Sequence, residues 1–465
     1  MLTKVAANDT NNTVNYQHIY LRPNLHTALK YLRQPDVPRV MWIDALCINQ
    51  NDLDERGRQV KRMAEIFTLA ERVVVWLGPA EANPSSQRAL RILEMLGEQI
   101  EFSKTFYYFC SPASGLTPRA DLWSTHDIET VRAAVRNNHQ STPPPLPLNE
   151  SDMSSVHHLV SRPWWDRLWV FQEIQLASHK SILLCGKDSA YWSLVRRAIM
   201  WLHCRSVKRP DLPLTTPILS RCYYLAVSQV GAPIIHVLFY TERAQYTVEN
   251  DRIIAVLGLA PPAIAAHIKP DYTVPVHQFF RDVCLAILRV NKSLVFLGDR
   301  ETEDTQPIPG KPSWVPNWLE PVSLRPFFGA RAAGGSFDVL VPKDALDTLP
   351  VQCIFKGSVR LVAPRLPAEG DIASTIELWD AFARSSSSGD EGMMWKNSLV
   401  DILKCGLWNE KWPDRAVLSL EQGLKAYDQR KYASFTEPAA RRRAFFISSN
   451  GSFGLGPPMA KEGKC

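Results

Sequence analysis

The nine cysteines of this 465-residue chain include no C-x-x-C pair. Odd in number and scattered, they exclude a disulfide framework and a zinc ribbon, and they suit single buried thiols in a reducing compartment. A surplus of one charge sign is missing as well. Lys+Arg 53 against Asp+Glu 47 leaves a net charge of +6, far from the basic stripe of a nucleic-acid binder. No long apolar run is present. The nearest, Cys222 to Tyr240 (CYYLAVSQVGAPIIHVLFY), holds Ser228, Gln229, Gly231, Pro233 and His236, so it reads as a buried helix or a helix–strand pair, not a membrane span. Met1 to Asn15 is polar and lacks the apolar centre of a secretory signal. These absences predict a soluble cytoplasmic protein that binds no nucleic acid and does not span a membrane. Familiar catalytic signatures are missing too: HExxH, G-x-S-x-G, G-x-G-x-x-G after a strand, and Walker A.

What is present reads as a globular chain. Hydrophobic residues make up 45% and charged residues 22%, which excludes disorder, and the length suggests about three domains. Sharp order begins at VMWIDALCI (Val40 to Ile48), an apolar run of strand length interrupted by Asp44. A helix follows, with Asp52 and Glu55 at capping-box spacing and Val60, Met63, Ala64 and Phe67 on one stripe. RVVVWLG (Arg72 to Gly78) is then a β-branched run stopped by Gly78-Pro79. Strand, helix and strand at this spacing predict a βαβ unit in a parallel sheet covered on both faces. Upstream, His18 to Leu21 reads as a short strand and Asn24 to Arg33 as a helix. Downstream, a helix is expected over Arg91 to Ile100, a helix over RPWWDRLWVFQEIQLA (Arg162 to Ala177), and a strand over KSILLCG (Lys180 to Gly186). Cys110 to Ser155, with its STPPPLPLNES stretch, reads as an irregular surface insertion. Tyr191 to Pro261 and Pro275 to Val290 look helical, PSWVPNW (Pro312 to Trp318) is a proline-set turn, SSSSGD (Ser385 to Asp390) a flexible link, and Ala444 to Gly456 a hairpin turning at Asn450-Gly451.

Among the residues able to do chemistry, Glu173 stands out. Its helical neighbours at i±3 and i±4 are Trp169, Val170, Leu176 and Ala177, all apolar, so its own helix offers no cation. An ionised carboxylate there is costly unless another element supplies a partner or water reaches it. Glu173 is therefore either half of an ion pair with a distant arginine or a site carboxylate with Trp169 as an aromatic floor. Asp44 is the second anomaly, placed near the carboxyl end of the expected strand with Asn49 and Gln50 just beyond, where ligands of open α/β sheets lie. It is a site residue or a cap. Glu55 reads as a capping residue. His157-His158 reads as structural because adjacent side chains diverge, and no metal site is expected. Arg441 to Arg443 reads as a solvated turn.

WIDALCINQNDLDERGRQVKRMAEIFTLAERVVVWLG and RPWWDRLWVFQEIQLA resemble the two hallmark blocks of the fungal heterokaryon-incompatibility (HET) domain. NDRIIAVLGLA, IKPDY, PSWVPNW and RRRAFFISSNGSFGLGP resemble the extension that often follows it. The resemblance implies nonself recognition between fungal strains, with programmed cell death as the outcome and protein partners or a homo-oligomer carrying the signal. HET domains also look distantly like TIR domains, which share a flavodoxin-like parallel sheet and some of which cleave NAD with a glutamate in a W-x-x-x-E helix. Trp169 to Glu173, with Ala177, fits that pattern. By this likeness Glu173 is the candidate catalytic carboxylate, NAD is the candidate substrate, and Asp44, Gln172 and Asn49 are candidate binding residues, with Trp169 or Trp76 stacking on a flat base. A non-catalytic signalling or self-association module of the same fold is the alternative, and an inactive truncated copy a third. The implied layout is a HET domain over 1–190 with the insertion at about 110–155, a mainly helical extension over 191–330, and a C-terminal region over 331–465. Two departures from the family pattern are expected to matter. No Y-x-A-L-S-Y-x-W-G strand precedes Val40, so the first strand of the sheet is expected to be missing, and the last module is expected to stop short after G-L-G-P.

Overall fold

The computed structural model describes residues 2–5, 16–19, 21–82, 84–103, 108–110, 124–136, 146–208, 216–300, 312–320, 348–351, 357–363, 378, 379, 381–383, 385, 444–456 and 460–463. The chain divides into two compact units, one of residues 1–265 with 269–273, the other of 266–268 with 274–465. The division falls inside the stretch expected as a single helical extension.

The first unit opens with a hairpin, β1 (Leu2–Val5) antiparallel to β2 (Tyr16–Ile19), and helix α1 (Pro23–Leu32), which buries Ala28 and Leu32. A single turn, α2 (Asp44–Cys47), leads to α3 (Leu53–Leu69). β3 (Val74–Trp76) is followed by α4 (Ser86–Glu98), a second hairpin of β4 (Glu101–Ser103) and β5 (Tyr108–Cys110), then α5 (Thr125–Arg136) and α6 (Glu150–Val160). After a 3-10 turn at Pro163–Asp166 come α7 (Val170–Gln175), β6 (Ile182–Cys185), β7 (Asp188–Tyr191), α8 (Trp192–Lys208), α9 (Thr216–Val227), α10 (Ile234–Tyr240), α11 (Asp251–Ile254) and α12 (Pro262–Ala265).

The core of this unit is helical. α4 packs against both α6 and α8, and α8 against α9. The starts of these helices have identifiable physical causes. Ser85 caps α4 through the Arg88 amide at 3.2 Å, and Asn149 with Asp152 forms a reciprocal capping box on α6. Asp52 accepts the Glu55 amide at 2.9 Å, but the Glu55 carboxylate reaches back to the Asn49 amide at 3.0 Å, so the expected box is half formed and also ties down the preceding loop. Val60 and Met63 of the expected stripe are buried.

The sheet has three strands in the order β3-β6-β7, with β3 parallel to β6 (Val74 opposite Ile182) and β6 antiparallel to β7. The fold is therefore mixed α/β, and several expectations need correction. Val40 to Ile48 is not a strand. Residues 40–43 are irregular, and Asp44 opens α2, its own Oδ1 accepting the Ala45 amide at 2.7 Å. A carboxylate is favourable at a helix start and has no place in a buried ladder. β3 finds its parallel partner in β6 and not in residues 40–48, so the proposed βαβ unit does not form. Arg162 to Ala177 is not one helix but a 3-10 turn and a short α7, because Pro163 presets the first and the chain is extended on either side of it, with ψ 147 at Arg162 and 136 at Arg167. Part of the expected irregular insertion is regular: α5 carries Ile128, Val131, Ala134 and Val135 at helical spacing, and all four are buried. Before Val40 the chain does carry strands, but among the described residues β1 and β2 pair only with each other.

The second unit holds α13 (Val276–Asn291), whose Phe279, Phe280, Val283 and Ile287 are buried. The Phe280 ring meets Trp318 of the proline-set turn edge-on at 5.3 Å. β8 (Val359–Val362), β9 (Ala444–Ser448) and β10 (Phe453–Gly456) form a sheet in the order β10-β9-β8. The β9–β10 turn passes through Gly451 at φ 82, as the Asn-Gly pair predicts. Most of Ser385 to Asp390 and all of Arg441 to Arg443 lie outside the described residues. Among the described residues, no helix is long and apolar enough to cross a membrane. Cys185 and Cys222 are buried free thiols, and Cys47 is exposed.

Candidate functional site

α7 has only six residues, too few to hold itself in place. It lacks a side-chain cap at Trp169, so its position comes from outside. α3 packs against one side of it. In addition, the Leu168 amide donates to the Gln245 carbonyl at 2.9 Å, the Gln245 amide to the Asp166 carbonyl at 2.6 Å, and the Gly258 amide to Gln172 Oε1 at 2.9 Å. Gln172 is thereby buried at 2% exposure with its oxygen engaged. Gln175 donates to the Leu225 carbonyl.

Glu173 sits one turn after Trp169 and so shares its face. The residue is partly buried, and among the described residues no hydrogen bond or ion pair holds its carboxylate. Desolvation raises its pKa above the ordinary value. Arg167 partly offsets that rise, and the negative charge of Asp44 adds to it. Two of the residues singled out in the sequence, far apart along the chain, are thus near enough to sense one another. Asp44 is exposed at the start of α2, and Arg167 is exposed just before α7. The local charge at Glu173 is set, among the described residues, by its own shielding from water, the Asp44 carboxylate and the Arg167 guanidinium. Among the described residues, no three His, Cys, Asp or Glu side chains gather as they would to hold a metal ion.

Behind Trp169 lies a second carboxylate. Asp251 is 4% exposed. Its Oδ2 accepts Trp169 Nε1 at 3.3 Å and its Oδ1 accepts the Tyr272 hydroxyl at 2.9 Å. Burial still raises the Asp251 pKa, those two donors and the Arg56 charge opposing it. The Arg56 guanidinium of α3 lies over the Tyr272 ring at 4.6 Å from its centre. Sequence reasoning did not single out Arg56, Arg167, Asp251 or Tyr272. The readable signal was an Asp-Arg pair opening an apolar run, DRIIAVLGL, and a tyrosine following an acid in IKPDY.

The remaining expected residues lie in other surroundings. Trp76 packs on α1, its ring 5.0 Å from Tyr31 and its Nε1 donating to Asn24 at 3.3 Å. Asn49 is exposed in the loop before α3, its Oδ1 accepting the Asn51 amide at 3.2 Å. The carboxyl end of β3 is filled by the protein itself: Arg162 donates to the carbonyls of Leu77 at 2.7 Å and Pro79 at 3.1 Å and to Ser86 Oγ at 3.0 Å, and pairs with Glu81, which also meets His158.

Residues 3–173 match the family described as "Heterokaryon incompatibility protein (HET)". Over that stretch the chain is similar to the HET family. It is also 27% identical, over 354 residues, to the Neurospora crassa protein named "Heterokaryon incompatibility protein 6, OR allele", covering 67% of this chain and 50% of that protein. The chain thus spans about half the length of the curated relative it matches. No solved structure matches it. The HET match ends at Glu173, whereas Gln245, Asp251, Gly258 and Tyr272, which fasten the helix bearing that residue, all come later in the chain.

Proposed function

We propose that this chain acts in fungal heterokaryon incompatibility, promoting cell death by cleaving NAD at the Glu173 face of α7. The family match and the named relative support the incompatibility role. The observation that carries the chemistry is the state of Glu173: a partly buried carboxylate with a raised pKa, a tryptophan one turn away, and no cation in bonding contact among the described residues. A structural ion pair would look different. The distant TIR likeness belongs to the same reading, supported by the W-x-x-x-E spacing leading into α7 and by the presence of a parallel β3–β6 pair.

In the proposed reaction the bond between nicotinamide and C1′ of the ribose breaks, the electron pair leaving with nicotinamide. Water adds to C1′ and loses a proton, giving ADP-ribose. Positive charge builds on the ribose ring as the bond lengthens, as in glycoside hydrolysis. An ionised Glu173 beside that ring stabilises the charge, and partial enclosure strengthens the effect because fewer waters screen it. Trp169 offers an aromatic face to the flat base. Inducible expression in a fungal host tests the reading: the wild-type chain is expected to deplete cellular NAD before viability falls, and Glu173→Gln to do neither. Equal killing by the two proteins with NAD intact would leave a non-catalytic signalling module instead.

A further inference from the structure

Asp251 has no task in the reaction just described, yet it is an acid buried to 4% exposure. Such a group is expensive unless every oxygen is met. Its two oxygens are divided between two donors from different parts of the chain, Trp169 Nε1 and the Tyr272 hydroxyl. Tyr272 is held in turn beneath Arg56. The network therefore runs from α3 through Tyr272 and Asp251 to the residue that begins α7. Trp169 is the N-cap of that helix and supplies no side-chain cap, and its carbonyl accepts the Glu173 amide at 3.2 Å. Whatever fixes Trp169 fixes the turn on which Glu173 stands.

We propose that Asp251 is a positioning residue for Glu173. Gripped by Tyr272 and backed by Arg56, it locks the Trp169 indole and so sets the floor beside the catalytic carboxylate. The working site then extends beyond the HET match, and Gln245, Asp251, Gly258 and Tyr272 are part of it. The functional half of this inference rests on the NAD reading, while the structural half stands without it.

The test uses the full chain with 15N-labelled tryptophan. Comparison with Trp169→Phe assigns the Trp169 indole signal among the fourteen tryptophans. In Asp251→Asn the Trp169 indole N–H is expected to shift and to exchange with solvent about tenfold faster or more, the loss of a charge-assisted hydrogen bond, while most other indoles keep their positions. Nicotinamide release is expected to fall at least tenfold in kcat. Tyr272→Phe, a milder change, should speed the same indole by a smaller factor, and it carries the test if Asp251→Asn does not fold. An unchanged Trp169 signal in a folded Asp251→Asn, or in Tyr272→Phe where that variant stands in, would overturn the proposal. So would a change spread over many indoles, which marks a role in general stability. A wild-type chain that releases no nicotinamide would sink the NAD reading alone, since the indole measurement needs no substrate.

Discussion

Glu173 is destabilising to the fold as well as central to the proposed chemistry. Its pKa in the folded protein lies above the ordinary 4.5. Below that ordinary value the group is protonated in both folded and unfolded chains. Between it and the folded pKa the folded chain binds more protons, so stability falls as pH rises through that window. Glu173→Gln, neutral at every pH, is expected to match the wild-type Tm near pH 4 and to exceed it at pH 7, a difference that differential scanning calorimetry reads directly. A variant no more stable than wild type at pH 7 would show a carboxylate that was comfortable in place. The flanking charges give paired expectations. Arg167→Ala should move the acid limb of kcat/KM to higher pH and Asp44→Asn to lower pH, since the first lowers and the second raises the Glu173 pKa. Movement in the same direction would remove one of them from the site. The isolation of Glu173 was legible from its apolar neighbours one turn away on either side. Asp251 was not, because its partners Trp169 and Tyr272 lie 82 and 21 positions away in sequence, and no local pattern encodes a bond at that separation.

At the scale of elements, several helices were legible, the division of Arg162 to Ala177 and the helix α5 were not, and one strand was misleading. α1, α3, α4 and α13 follow from apolar stripes with identifiable starts, signals that operate within a few turns of chain. Val40 to Ile48 has strand length and apolar content, but Asp44 tips it toward a helix start, and the sheet takes β6 as the neighbour of β3 instead. Sheet pairing is settled by tertiary contact more than by local preference. Two variants probe the helical core. A Cβ at Gly97 would run into the backbone carbonyl of Leu194, so α4 and α8 approach too closely there for any side chain. Gly97→Ala is expected to cost about 1–3 kcal/mol in chemical denaturation despite the better helix propensity of alanine, and a stabilised variant would contradict that close approach. Asp152 holds Arg88 Nε at 2.8 Å and closes the α6 capping box. Asp152→Ala is expected to cost about 2 kcal/mol or more.

Across the whole molecule, composition and charge already limited the classes of protein this could be, but the extent of the working unit was not visible. The boundary expected at residue 190 separates α7 from the segment that fastens it, since pattern reading places a boundary where a motif ends and not where its contacts end. A chain shortened to residues 1–190 loses Gln245, Asp251, Gly258 and Tyr272, and with them α8, on which α4 packs. It is expected to give no cooperative thermal transition by circular dichroism, in contrast to the full chain. A cooperative melt from the short chain would show that the HET match is self-sufficient. The most direct test of the central claim is nicotinamide release from NAD by the purified full-length chain, with Glu173→Gln beside it and folding of both checked by circular dichroism. The account predicts release matched by ADP-ribose from the wild type, and a rate lower by about a hundredfold or more in the variant. Release from neither folded protein, or equal release from both, would contradict it.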